Sequence, residues 1–157
     1  MTLGQFTEAK LLIPRLLSDR QDAAIRELTK RLETTGRIHN PGAFLEAVRR
    51  REEELPTFVG EGVAVPHVRG GAVQRLSLAV GLLAQGIPWG RDHRHTARAV
   101  FLFAIPLTEA QTYLSVLAGL SSLMQDEMAF HALKRATQPE DILRALNAVR
   151  LVRICQD

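Results

Sequence analysis

The sequence predicts an α/β fold: a three-layer α/β/α sandwich with a mixed, mostly buried sheet and helices on both faces. Three observations point to it. Helical patterns come first, strand patterns fill the middle, and helical patterns return at the end, an order suited to helices layered on a sheet. Residues 75–83 alternate, with Leu76, Leu78, Val80 and Leu82 on one face and Ser77, Ala79 and Gly81 on the other, which describes a strand with one well-buried face. Residues 98–105 are nearly continuously apolar, as in a strand covered on both faces. At 157 residues, with 46% hydrophobic and 24% charged, the chain is expected to be a single domain over 1–157, with 151–157 as a C-terminal extension.

The elements follow in order. Residues 10–13 read as a short strand stopped by Pro14. Ser18-Asp19-Arg20-Gln21 fits a capping box, with Ser18 as N-cap and Gln21 reaching back. Ala24, Ile25, Leu28 and Leu32 then recur at helical spacing and predict an amphipathic helix over 19–33, with Gly36 at its C′ position. Asn40-Pro41 supplies an N-cap and a first-turn proline for a second helix that buries Phe44, Leu45 and Val48. Its end, residues 49–54, is a run of three arginines and three glutamates, expected to be solvated apart from Arg51. Glutamates at a helix C-terminus oppose the macrodipole, so this end is not optimised for stability alone.

Val63, Ala64 and Val65 are too few for a helix and suit a buried strand. Pro66 fixes its own φ and donates no ladder bond, so that strand should stop there. Residues 85–90 form a turn-rich connection between the two longer strands, and Pro106 ends the second. Leu114, Leu117, Leu120, Leu123 and Met124 give a buried stripe on a helix over 108–125. Asp126 caps a further helix burying Met128 and Leu133. Thr137-Gln138-Pro139-Glu140 is a second capping box, opening a helix that buries Ile142, Leu143 and Leu146. Residues 151–154 are an apolar tail, either an extra strand or a partner contact.

Composition excludes several classes. No apolar run approaches the ~20 residues of a membrane span. The N-terminus carries no basic-then-apolar signal, so the chain is expected to remain in the cytoplasm with no direct membrane insertion. The lone cysteine, Cys155, excludes an internal disulfide. Net charge is +3, and with only three lysines (Lys10, Lys30, Lys134) the basic residues are overwhelmingly arginine. They are scattered and lack the clustered stripe with interleaved aromatics of a nucleic-acid-binding face, so no nucleic-acid partner is expected. His93 and His95 alternate but have no third ligand at a familiar spacing, so no metal site is expected. Nucleophile elbow, Walker loop and dinucleotide fingerprint are all absent.

The chemistry concentrates in Thr57-Phe58-Val59-Gly60-Glu61-Gly62-Val63-Ala64-Val65-Pro66-His67-Val68-Arg69: a glycine-bracketed turn, a short apolar run, a proline and a histidine. Histidine's unperturbed pKa lies near neutrality, so a ring nitrogen is free to act as a nucleophile. Together with Arg51-Glu52 upstream, this string resembles the phosphorylation-site signature of enzyme IIA domains of the bacterial sugar phosphotransferase system, in the fructose/mannitol class that includes the nitrogen-regulatory enzyme IIA proteins. The resemblance extends from Ser18 to Leu146.

The resemblance implies a phosphohistidine relay. A histidine-containing phosphocarrier protein donates a phosphoryl group to His67, which passes it to a sugar-permease enzyme IIB domain or holds it as a regulatory mark, with no metal or organic cofactor. Arg51, sixteen positions before His67, matches the family's arginine beside the active histidine; a guanidinium fork suits the charge on phosphoryl oxygens. Gly60 and Gly62 either let backbone N–H groups approach the phosphate or form a plain tight turn. Arg69 matches a basic residue common after the histidine, or is solvated.

One departure stands out. Seven residues past Pro106, where the family usually carries a second histidine, this chain has Tyr113. A tyrosine hydroxyl donates a hydrogen bond but does not become a cation at neutral pH; it is also at home as a core aromatic. Val68 replaces the small residue often found after the histidine. These changes keep a second reading open: a divergent, weakly phosphorylated or unphosphorylated regulatory module docking on a kinase or transporter. A hydrolase built on His67 ranks last, because no companion acid or nucleophile is present.

Overall fold

The fold is taken from a computed structural model and is described for residues 1–152. Cys155 and half of the apolar tail, residues 153–154, lie outside the described residues. Among the described residues there are five α-helices: α1 (Gln21–Thr34), α2 (Pro41–Glu54), α3 (Ala110–Gln125), α4 (Glu127–Lys134) and α5 (Pro139–Asn147). Six strands are β1 (Leu12–Ile13), β2 (Phe58–Gly60), β3 (Val63–Ala64), β4 (His67–Arg69), β5 (Ser77–Trp89) and β6 (His95–Ile105). They form one mixed sheet in the order β1-β5-β6-β3-β2, with β4 also on β6. β1 on β5, β3 on β6 and β4 on β6 run parallel; β5 on β6 and β2 on β3 run antiparallel. No helix among the described residues is long and apolar enough to cross a membrane.

The three layers follow from strand alternation. Leu76, Leu78, Val80, Leu82, Phe101 and Phe103 pack in one buried cluster with Val116, Leu120, Phe130 and Ile142 from α3, α4 and α5. The residues between them, Ala79, Val100, Leu102 and Ala104, join Ile25, Leu28, Phe44 and Val48 from α1 and α2 in a second cluster on the opposite face. Both faces of β6 are dry from Ala99 to Ile105, as its continuous apolar run predicts.

Several caps form as expected. Gly36 takes φ +74 after α1, and Arg37 N donates to Leu32 O at 2.9 Å. Asn40 Oδ1 accepts from Ala43 N at 3.3 Å, with Pro41 opening α2, and Asp126 Oδ1 accepts from Ala129 N at 3.0 Å to open α4.

Others differ. The Ser18 capping box does not form: α1 starts at Gln21, its extended N-cap is Arg20, and Gln21 Oε1 accepts from Gly90 N at 2.9 Å. A distant loop thus outcompetes the local cap. At α5 the reaching acid is Asp141, one residue past the expected Glu140; its Oδ2 accepts from Thr137 N at 3.1 Å and Gln138 N at 3.0 Å. The first strand is only Leu12–Ile13, because residues 9–11 make a 3₁₀ turn. Leu114 and Met128, expected inside, are 45% and 85% exposed; each lies on the outer side of a helix whose buried stripe is narrower than the apolar count suggests.

The largest revision concerns residues 85–90. These are strand rather than connection: β5 continues to Trp89 and β6 begins at His95, with the reversal at Gly90 (φ +92) and His93 (φ +55). A register shift between Leu82 and Ile87 interrupts the period-two pattern, which hides the continuation from a sequence reading. Gly86 is needed there, since a Cβ would meet Thr96 Cγ2 at 2.3 Å. The arm beyond the shift folds over the end of α2, where Arg91 Nη2 donates to Glu53 O at 3.1 Å.

Candidate active site

β3 and β4 are one extended path interrupted at Val65-Pro66. Both keep the same register on β6: Val63 opposite Ala99, Ala64 opposite Val100, His67 opposite Phe103. Pro66 therefore interrupts the strand rather than ending it; it lacks a donor, but its carbonyl accepts from Phe103 N at 3.0 Å. His67 opens β4, which among the described residues pairs with β6 alone, and its side chain is partly buried.

The ring orientation is set locally. His67 Nδ1 lies 3.0 Å from Val65 O. A carbonyl oxygen only accepts, so Nδ1 carries a proton, and in the neutral ring Nε2 keeps its lone pair. Tyr113, in the first turn of α3, faces the same ring: centroids are 5.5 Å apart at 38°. Tyr113 also packs against Phe103, 5.8 Å away at 67°. Its hydroxyl is buried with no hydrogen-bond partner among the described residues. Burial pushes its pKa up to about 12, with the positive charge of Arg51 acting in the opposite sense. The phenol is therefore neutral and retains its proton.

Arg51 sits in the last turn of α2 and donates to Leu55 O at 3.1 Å. Its positive charge is felt at the Tyr113 hydroxyl, whose ring faces His67. Arg69, two residues along β4, donates to Leu107 O at 2.7 Å and ties the strand to the segment leading into α3. Gly60 and Gly62 are not brought to the ring. They form the β2–β3 turn with φ +94 and +75, flanking Glu61 at φ +53. Gly62 O accepts from Arg98 N at 2.7 Å, whereas His67 pairs with Phe103. Gly62 lies five positions before His67 along an extended path, roughly 16 Å, and Gly60 two positions further. These glycines serve the turn, not an anion nest beside His67.

One residue lies where the sequence pattern does not put it. Glu52, expected in the solvated run, is only 3% exposed. It accepts from Thr57 N at 3.2 Å, from the Thr57 hydroxyl, and from Trp89 Nε1 at 3.2 Å. Thr57 O in turn accepts from Val65 N at 2.7 Å. The available signal was the pairing of an acid with a buried indole that needs an acceptor, residues made adjacent only by the folded arm. His95 stacks on Phe58, with centroids 4.4 Å apart at 15°.

Comparison with known proteins places the family and the fold. The family described as "Phosphoenolpyruvate-dependent sugar phosphotransferase system, EIIA 2" matches residues 5–149. The chain is 36% identical over 149 residues to the 2-O-alpha-mannosyl-D-glycerate-specific EIIABC component of Escherichia coli K12, covering 94% of this chain and 23% of that protein. The chain thus spans under a quarter of that relative's length. Its fold is similar to the nitrogen regulatory protein IIA-Ntr of Neisseria meningitidis, with TM-score 0.82, 18% identity, and 92% and 98% of the two chains covered. It is also similar to enzyme IIA-mannitol of E. coli, solved in complex with phosphorylated enzyme IIB-mannitol, with TM-score 0.75, 23% identity, and 90% and 96% covered. The chain belongs to the EIIA type 2 family of the phosphoenolpyruvate-dependent sugar phosphotransferase system.

Proposed function

We propose that His67 is the phosphoryl acceptor, taking the group from a histidine-containing phosphocarrier protein and passing it to a sugar-permease enzyme IIB domain. The observation that carries this reading is the Nδ1–Val65 O contact at 3.0 Å. It leaves the Nε2 lone pair free for in-line attack. As the Nε2–P bond forms, the N–P bond of the donor's phosphohistidine breaks and its electron pair stays on the donor imidazole. His67 then carries a dianionic phosphoryl group next to a fixed imidazole.

The neighbouring groups suit that charge. Arg51 brings a guanidinium, and Arg69 a second one two residues along the strand. The Tyr113 proton has no competing acceptor, so it is available to a phosphoryl oxygen. Nothing in this chemistry calls for a metal or organic cofactor. Phosphoenolpyruvate as the source of the group argues for a cytoplasmic location.

The test is incubation with phosphoenolpyruvate, enzyme I and the phosphocarrier protein. Acid-labile label on the wild type and none on His67→Ala is expected. No label on the wild type, or equal label on His67→Ala, removes the reading.

The second reading, a regulatory module that docks on a kinase or transporter with transfer weakened, draws on Tyr113. A neutral, desolvated phenol supplies no charge where the family usually has a second histidine. Tyr113→His separates the two. A large gain in phosphorylation rate points to a lapsed relay; no gain means the tyrosine suffices.

A further inference from the structure

We propose that Glu52 is a positioning residue for phosphoryl acceptance. It holds the Thr57–Val65 contact that keeps the Val65 carbonyl against the His67 ring, and it anchors the helical turn that carries Arg51. The proposal rests on the reading of His67 as acceptor.

Glu52 differs from its neighbours. Glu53 and Glu54 are exposed, whereas Glu52 is 3% exposed and collects three donors from two other segments. Two come from Thr57, in the loop between α2 and β2; one comes from Trp89, in the folded-over arm of β5. A carboxyl group placed this way joins three segments that no regular ladder joins.

The link to His67 has two further steps. Val65 lies in the gap between β3 and β4, and its N–H is held by Thr57 O at 2.7 Å rather than by β6. Val65 O then receives the proton on His67 Nδ1 at 3.0 Å. Loosening Thr57 frees Val65 to rotate, and a ring without its carbonyl has no reason to keep Nε2 unprotonated. The link to Arg51 is shorter: α2 stops with Leu55 N on Arg51 O at 3.2 Å, and the adjacent Glu52 pins that turn beneath the arm. Arg91 on Glu53 O and Gly90 on Gln21 Oε1 hold the same arm in place.

The experiment reads the tautomer of His67 by ¹⁵N NMR of the labelled imidazole, beside the initial rate of phosphoryl uptake from the phosphocarrier protein. Wild type is expected to hold the Nδ1–H form. Glu52→Ala is expected to mix the tautomers and lower the rate about tenfold, the factor one lost buried hydrogen bond supplies. Glu52→Gln should restore both, since its amide oxygen can take the two N–H donors while its NH₂ turns to the Thr57 hydroxyl, which also accepts. Trp89→Phe, which leaves Thr57 bonded, should keep the wild-type tautomer.

A folded Glu52→Ala protein with the wild-type tautomer and rate overturns the proposal. If Glu52→Ala does not fold, Thr57→Val carries the test, because it deletes the hydroxyl arm and keeps the shape. A wild-type tautomer and rate in that variant is equally fatal. The tautomer comparison needs no phosphoryl group, so a wild type that takes no label sinks the acceptor reading and leaves this measurement decisive for Glu52.

Discussion

The rings of His67 and Tyr113 lie 5.5 Å apart, inclined by 38°, and the Tyr113 hydroxyl is buried without a partner among the described residues. A buried hydroxyl with nothing to bind is costly in the resting protein. It becomes useful when an anion arrives on the neighbouring ring.

Tyr113→Phe should therefore act in opposite directions on stability and on the phosphorylated state. Thermal unfolding is expected to show no loss, or a gain of up to about 1 kcal/mol, because an unsatisfied group is removed. The equilibrium level of phosphorylated protein should fall about tenfold as one charge-assisted donor is lost. A clear drop in melting temperature would show that the hydroxyl already has a structural partner.

The same burial has a pH signature. Folding raises the Tyr113 pKa from 10.0 to about 12, so the fold favours the neutral phenol. Its contribution to stability is complete below pH 10 and is lost as pH rises from 10 through about 12. Tyr113 is the only tyrosine, so the phenolate absorbance titration reports on it alone. The native midpoint should lie near 12 and return to about 10 in denaturant.

Arg51→Lys keeps the charge beside Tyr113 but removes the fork. Phosphoryl uptake should drop about tenfold with little change in melting temperature, as expected when bidentate contact with phosphoryl oxygens is lost. Equal rates in the two proteins would place Arg51 outside the transfer step.

Gly62→Ala tests where the glycines act. At φ +75 a side chain is strained, so stability should fall by about 1–2 kcal/mol. The uptake rate of the folded variant should not change, because Gly62 lies five positions before His67 along an extended path. A selective loss of transfer would restore the nest role.

Asp22 and Arg49 join α1 to α2, with Arg49 Nη2 on Asp22 Oδ2 at 2.8 Å and Nε on Oδ1 at 2.5 Å. The hydrogen bond from Arg49 holds the Asp22 carboxyl below the usual carboxylate range. A depressed folded pKa gives stability that is present above about pH 4 and lost as pH falls through the folded value. The two side chains are 37% and 47% exposed, so solvent screening limits the pair. Asp22→Asn should cost about 0.5–1 kcal/mol near neutrality and converge with wild type in acid, measured by denaturant unfolding.

How much could be read in advance depended on the range of the interaction. The alternation of Leu76 to Leu82 and the apolar run of β6 announced the layers, because period two and double-sided burial are local consequences of strand geometry. The caps at Asn40 and Asp126 were legible because both partners lie within one turn. The cap at Ser18 was misread because Gln21 answers to Gly90, far along the chain. The β5–β6 arm was missed because its register shift breaks the pattern that periodicity detects.

Sequence alone thus determined the family string around His67, the strand–proline–histidine order and the sandwich, since each rests on neighbours along the chain. Tertiary structure decided what surrounds the imidazole. It put the Tyr113 ring beside it, kept Gly60 and Gly62 away, and buried Glu52 under Trp89. Those outcomes turn on strand register and on desolvation by distant segments, and neither is encoded in any one stretch of residues.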